Sequence, residues 1–133
     1  MFQHNAMTQD DLDEVSGNPK YKKAHRWSLK KLENALDIEA QGVAITRSTI
    51  GKLETNIENL LDKCSSLIGE TVSRERLPEF VERIQDKVVL LELKTHEGEV
   101  KLLMGQLTSA RMRLQDHSHS KSMLLELIKR KNQ

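Results

Sequence analysis

The sequence predicts an all-α protein in which two long helices form an antiparallel coiled-coil hairpin. Only 3% of the 133 residues are aromatic and only two are proline, whereas 31% are charged, a composition that favours helices over strands. Apolar residues alternate at spacings of three and four over residues 29–71, which is typical of one helix with a coiled-coil seam. A second apolar pattern follows Pro78, so we expect the chain to reverse near that proline and pair its two helices.

The first helix is predicted over residues 19–72. Asn18 and Pro19 suit a helix start, because asparagine can cap the free amides and proline lacks only an N–H that would be unpaired there. Poor helix formers between Gly42 and Gly51 leave a break in this helix as an alternative. The lone cysteine falls on the seam and is interpreted as a small buried hydrophobe. The predicted interaction seam consists of Leu29, Leu32, Leu36, Val43, Ile50, Leu53, Ile57, Leu60, Cys64 and Leu67.

The second helix is predicted over residues 78–131, after a turn at 73–78. Pro78 and Glu79 fit its first turn by backbone angle and by charge. An antiparallel register that folds between Arg76 and Leu77 pairs the apolar positions of both helices. It also leaves Glu39 facing Leu114, a mismatch on an otherwise apolar seam.

The apolar stripe of the first helix is wider than a two-stranded coiled coil needs. Small or apolar residues, Ala35, Ala40 and Leu61 among them, flank the seam where charged residues would be usual. We therefore expect the hairpin to pair into a dimer or four-helix arrangement, with itself or another coiled-coil protein as partner. The alternative is a parallel dimeric coiled coil through the first helix.

Charge is unevenly distributed near the N-terminus. Residues 1–17 include four acids and no Lys or Arg, so we expect a flexible acidic tail ahead of a helical domain at 18–133. Residues 20–31 carry six bases and no acid, and in the hairpin they meet the C-terminal bases at 129–131. We call this the basic tip, and expect Tyr21 and Trp27 to be exposed on it. Its candidate anion-binding residues for nucleic acid or acidic lipid are Lys20, Lys22, Lys23, Arg26 and Trp27; the alternative is a merely solvated end.

No pattern of catalytic, cofactor-binding or metal-binding residues is found in the sequence. His117 and His119 are two apart, which places them on different helix faces, and neither a phosphate-binding glycine loop nor a nucleophile with a nearby base occurs. No apolar run is long enough to span a membrane, and a single cysteine excludes an internal disulfide. We expect an intracellular protein, cytoplasmic or nuclear, without a cofactor. The predicted function is a non-enzymatic coiled-coil interaction module, either a scaffold or a subunit of a larger complex; the alternative is a helical module whose basic tip binds nucleic acid or an anionic membrane.

Overall fold

The structure is a computed structural model that describes residues 19–133. The predicted acidic tail at 1–17 and the predicted cap Asn18 lie outside the described residues. Within 19–133 every regular element is helical, which confirms the all-α prediction. Two short 3₁₀ turns, Pro19–Tyr21 and Ala24–Arg26, precede three helices: α1 (Leu29–Ile68), α2 (Leu77–Arg83) and α3 (Lys87–Lys131).

Helix α1 begins ten residues later than the start predicted at Pro19. The Ser28 side-chain oxygen accepts a hydrogen bond from the Lys31 amide at 3.2 Å, so Ser28 caps the helix in the usual N-terminal manner. Pro19 instead opens the first 3₁₀ turn. The helix is unbroken between Gly42 and Gly51, so the alternative of a break is wrong.

A compact turn that begins at Gly69 ends helix α1. Gly69 has a φ of 82°, a left-handed conformation that glycine adopts without a Cβ clash. Its amide donates to the Ser65 carbonyl at 2.8 Å, and the Ser65 hydroxyl in turn accepts from the Val72 amide at 3.0 Å. The chain therefore leaves the helix four residues before the predicted end at 72.

The predicted second helix is interrupted at residues 84–86, between α2 and α3. Ile84 is extended, with φ −72° and ψ 126°. Asp86 then caps α3, because its Oδ1 accepts from the amides of Val88 at 2.9 Å and Val89 at 3.2 Å. The signal was present in the sequence as an aspartate two residues before an apolar run.

The described chain divides into two compact units. The first comprises residues 19–47 with Arg111–Gln133, and the second comprises Ser48–Ala110. In the first unit, the beginning of α1 packs against the end of α3 through a core of Tyr21, Ala24, Leu32, Ala35, Met123, Leu124 and Leu127. In the second unit, the remainder of α1 packs against α2 and the first half of α3 through Leu53, Ile57, Leu60, Leu61, Cys64, Val72, Leu77, Phe80, Leu93, Val100, Leu107 and Ala110. The predicted packing of two long helices against each other is confirmed.

In the first unit, the predicted register of α1 against α3 is wrong by about one helical turn. Glu39 contacts His117, three residues beyond the expected Leu114. Helix α1 ends at Ile68 and α3 begins only at Lys87, so the connection is longer than the turn predicted at residues 73–78 and is centred after the predicted fold between Arg76 and Leu77.

Candidate functional site

The predicted interaction seam of α1 is covered by the chain itself. None of its ten residues is exposed, and Ile57 and Cys64 are completely buried. Burial also raises the pKa of the Cys64 thiol, which keeps it in its unreactive form. The seam therefore serves as intramolecular core. Its buried residues are Leu32, Val43, Leu53, Ile57, Leu60 and Cys64, and its half-buried residues are Leu29, Leu36, Ile50 and Leu67.

A second stripe of uncharged residues runs along the exposed face of α3 within the second unit. Val88, Leu91 and Leu102 are 71%, 69% and 63% exposed, although side chains of this kind are usually buried. The intervening positions at spacings of three and four are small and are also exposed. We name this surface the α3 stripe, and it consists of Val88, Leu91, Thr95, Gly98, Leu102, Gly105 and Ser109.

The α3 stripe is not recognisable from the sequence alone, because residues 88–93 are apolar on nearly all sides of the helix and Val88 and Leu91 are therefore expected to be buried. The core face of α3 carries Leu93, Val100 and Leu107, which are nearly inaccessible to solvent. At 100° per residue the stripe lies on the opposite side of the helix. One feature of the sequence does indicate the stripe once the core face is known. Between Lys87 and Arg111 the seven residues of the stripe are all uncharged, although the helix is otherwise highly charged.

Helix α1 exposes a shorter apolar pair in the first unit. Ile38 and Ile45 are 58% and 67% exposed and lie two turns apart on one face. Asn34 and Gln41 share that face and are polar. This pair therefore offers a smaller apolar surface than the α3 stripe.

A carboxylate that is almost completely buried, that of Glu39, organises the first unit. Glu39 is 1% exposed. Its Oε2 accepts a hydrogen bond from the Tyr21 hydroxyl and lies 3.4 Å from the Lys20 ammonium, while its Oε1 lies 2.8 Å from Nδ1 of His117. Because a carboxylate is an acceptor only, Nδ1 carries the proton in this contact. Glu39 thus ties the first 3₁₀ turn to both long helices of its unit.

The pKa values of this cluster follow from its contacts. Burial alone would raise the pKa of Glu39, but the hydrogen bonds from Tyr21 and His117 and the charge of Lys20 outweigh it, so the pKa is lowered. The pKa of Tyr21 is raised, first by burial and then by its hydrogen bond to the Glu39 carboxylate. At neutral pH the pair therefore consists of a carboxylate and a neutral phenol.

Gly42 leaves room for the His117 ring. A Cβ at Gly42 would lie 2.7 Å from Nδ1 and Cε1 of His117, far inside van der Waals contact. The sequence prediction regarded Gly42 as a helix-weakening residue and Glu39 as a mismatch. In the fold both serve the same contact, which could not be recognised without the correct register.

The predicted basic tip is assembled from both ends of the described chain, but its aromatic residues are not as expected. Lys22, Lys23 and Arg26 are exposed, and a cleft of about 210 Å³ is lined by His25, Leu127, Arg130 and Lys131. The expected exposure of Tyr21 is wrong, since it is 3% exposed. Trp27 is half-buried, with its ring centroid 5.8 Å from that of Tyr21 and 4.3 Å from the Lys31 ammonium. The Tyr21 hydroxyl donates its hydrogen bond to the buried Glu39 carboxylate. This contact between distant residues cannot be seen in the sequence pattern.

Neither the fold nor comparison with known proteins assigns a chemistry to the chain. Within 19–133, no group of three His, Cys, Asp or Glu side chains is arranged to hold a metal ion, and none of the helices there has the length and apolar character needed to cross a membrane. No protein-family model, curated protein or solved structure matches the chain.

Proposed function

We propose that the protein is a non-enzymatic helical interaction module that binds other helices, in the first place those of a second copy. The observation that carries this proposal is the α3 stripe, because its seven residues, spaced alternately by three and four on one exposed face, are all uncharged. Burial of Val88, Leu91 and Leu102 against another helix would remove apolar area from water. The predicted seam of α1 is already used within the chain, so the proposed module presents α3 and not α1.

The magnitude of this burial permits a weak dimer at most. Three large apolar side chains per copy, each about two-thirds exposed, represent roughly 6–12 kcal/mol across both copies at about 1.5–3 kcal/mol per fully buried side chain. Association itself costs about 4–15 kcal/mol. A micromolar dissociation constant, which corresponds to about 8 kcal/mol, is reached only when the largest gain is combined with the smallest cost, so any dimer is expected to be weak.

Sedimentation equilibrium of the full chain over about 1–100 µM tests this proposal. We expect the average mass to rise from 15.3 kDa toward twice that value. As a control, the variant Met104→Glu should associate like the unmutated chain, because Met104 is also partly exposed on α3 but lies outside the α3 stripe. A monomeric mass for the unmutated chain over the whole range would contradict the proposal.

Binding of a polyanion by the basic tip is a second candidate function. It is supported by one cleft that Arg130 and Lys131 line together with His25. The basic tip therefore contains C-terminal bases as well as Lys22 and Lys23. Lys20 contributes less, because its ammonium lies 3.4 Å from the Glu39 carboxylate. Multiple cations on one surface favour phosphate-rich ligands through counterion release.

The salt dependence of duplex DNA binding tests the second candidate. With about four phosphate contacts, affinity should fall by roughly two orders of magnitude between 50 and 200 mM salt. Replacement of Lys22, Lys23 and Arg26 by glutamine should abolish binding, whereas replacement of the exposed Lys52 and Lys63 should not. Absence of binding to both DNA and acidic vesicles at low salt would eliminate this candidate.

A further inference from the structure

The charges beside the α3 stripe are segregated by sign. Lys87, Lys94 and Lys101 follow one edge of the stripe, and Glu92 and Glu99 follow the other. All five side chains are exposed. They occupy the positions that flank the seam in a coiled coil, where charge determines which helix is accepted and in which direction.

This segregation distinguishes the two directions in which identical helices could pair. In a parallel pair, one edge of a helix faces the opposite edge of its neighbour five residues further along. Lys94 would then face Glu99 of the second copy, and Lys87 would face its Glu92. In an antiparallel pair, like edges meet, so lysine faces lysine and glutamate faces glutamate.

The glycines of the α3 stripe are not required by the chain's own packing. A Cβ at Gly98 or Gly105 would meet nothing within 4 Å. Glycine nevertheless weakens a helix relative to alanine. Its absence of a side chain allows another backbone to approach closely, which would bring the flanking charges of two helices within reach of each other.

We propose that two copies of the chain pair in parallel, α3 against α3, through the α3 stripe. This inference rests on the proposed function and specifies its partner, surface and direction. The apolar contact is supplied by Val88, Leu91 and Leu102, and the direction is selected by the lysine and glutamate edges.

A charge exchange in the full chain tests the direction. Lys94→Glu places glutamate opposite Glu99 of the second copy, and Glu99→Lys places lysine opposite its Lys94, so each variant alone should dimerise about tenfold more weakly. An equimolar mixture of the two variants restores both attractive pairs and should regain the affinity of the unmutated chain. Lys52→Glu, on the exposed surface of α1, is the matched control and should change nothing.

A charge within the α3 stripe tests the surface. Leu102→Glu should abolish dimerisation without loss of helicity, because Leu102 is exposed in the single chain. A dimer that survives Leu102→Glu would overturn this inference and leave the proposed self-association intact. A dimer that becomes tighter with Lys94→Glu alone would establish the antiparallel direction and likewise overturn the inference. A monomeric unmutated chain would instead refute the proposed function itself.

Discussion

The same substitution, glycine to alanine, should have opposite effects at two positions of α1. At Gly42 a new Cβ would lie 2.7 Å from the His117 ring, so the imidazole must move away from the Glu39 carboxylate. A hydrogen bond to a charged group contributes about 1.5–3 kcal/mol, and alanine recovers about 1 kcal/mol of helix propensity. The free energy of unfolding should therefore fall by roughly 0.5–2 kcal/mol in Gly42→Ala.

Gly51→Ala is the matched control for that substitution. Gly51 is exposed, and a Cβ there would meet nothing within 4 Å. Only the propensity gain remains, so the free energy of unfolding should rise by up to about 1 kcal/mol.

Urea unfolding measures both effects. Circular dichroism reports on all helices, and fluorescence of Trp27, the only tryptophan, reports on the first unit, whose core it contacts. In a His117→Ala background the clash is removed, so Gly42→Ala should become stabilising. If Gly42→Ala stabilises the unmutated chain as much as Gly51→Ala does, the account of the His117 contact is refuted.

Three further substitutions test the core, the cluster and the cap. Because folding lowers the pKa of Glu39, the ionised carboxylate stabilises the fold at pH values above its ordinary pKa of 4.5, and this stabilisation is lost as the pH falls. Glu39→Gln should therefore lower the free energy of unfolding at pH 7 and reduce its dependence on pH in acid, as measured by urea unfolding. Leu53→Asp buries a carboxylate in the second unit and should cost several kcal/mol, whereas Lys52→Asp on the exposed side should be nearly neutral by thermal unfolding. Asp86→Ala removes the α3 cap and should cost about 0.5–2 kcal/mol, with faster amide exchange at Val88; unchanged exchange would contradict the capping role.

The sequence was sufficient to predict the helical class and the buried face of α1. Both depend on periodicity, which is local information, and all ten seam residues are at least half-buried as that periodicity requires. The ends of the helices were harder to predict, because Ser28 caps α1 through one side-chain hydrogen bond and Asp86 caps α3 through two. Such bonds offer the backbone an alternative to continuing the helix, and the energy difference is small. A pattern of apolar residues carries no information about it.

The buried cluster and the α3 stripe could not be derived from periodicity alone. Glu39 and His117 are 78 residues apart in sequence, so their contact depends on the register of α1 against α3, which apolar periodicity alone leaves open. The α3 stripe became recognisable only when the core face of α3 was known, because Leu93 and Leu91 are equally apolar in sequence and differ only in burial.

Methyl NMR with a soluble paramagnetic relaxation agent tests the central claim most directly. The claim is that Leu53, 9% exposed, belongs to an intramolecular core, whereas Leu102, 63% exposed, belongs to an intermolecular surface. In dilute solution the methyl groups of Leu53 should be protected from the agent and those of Leu102 should be strongly relaxed. Protection of Leu102 should then increase with protein concentration while that of Leu53 stays constant. A Leu53 signal that becomes protected only at high concentration would contradict the account, because the seam of α1 would then be the interface.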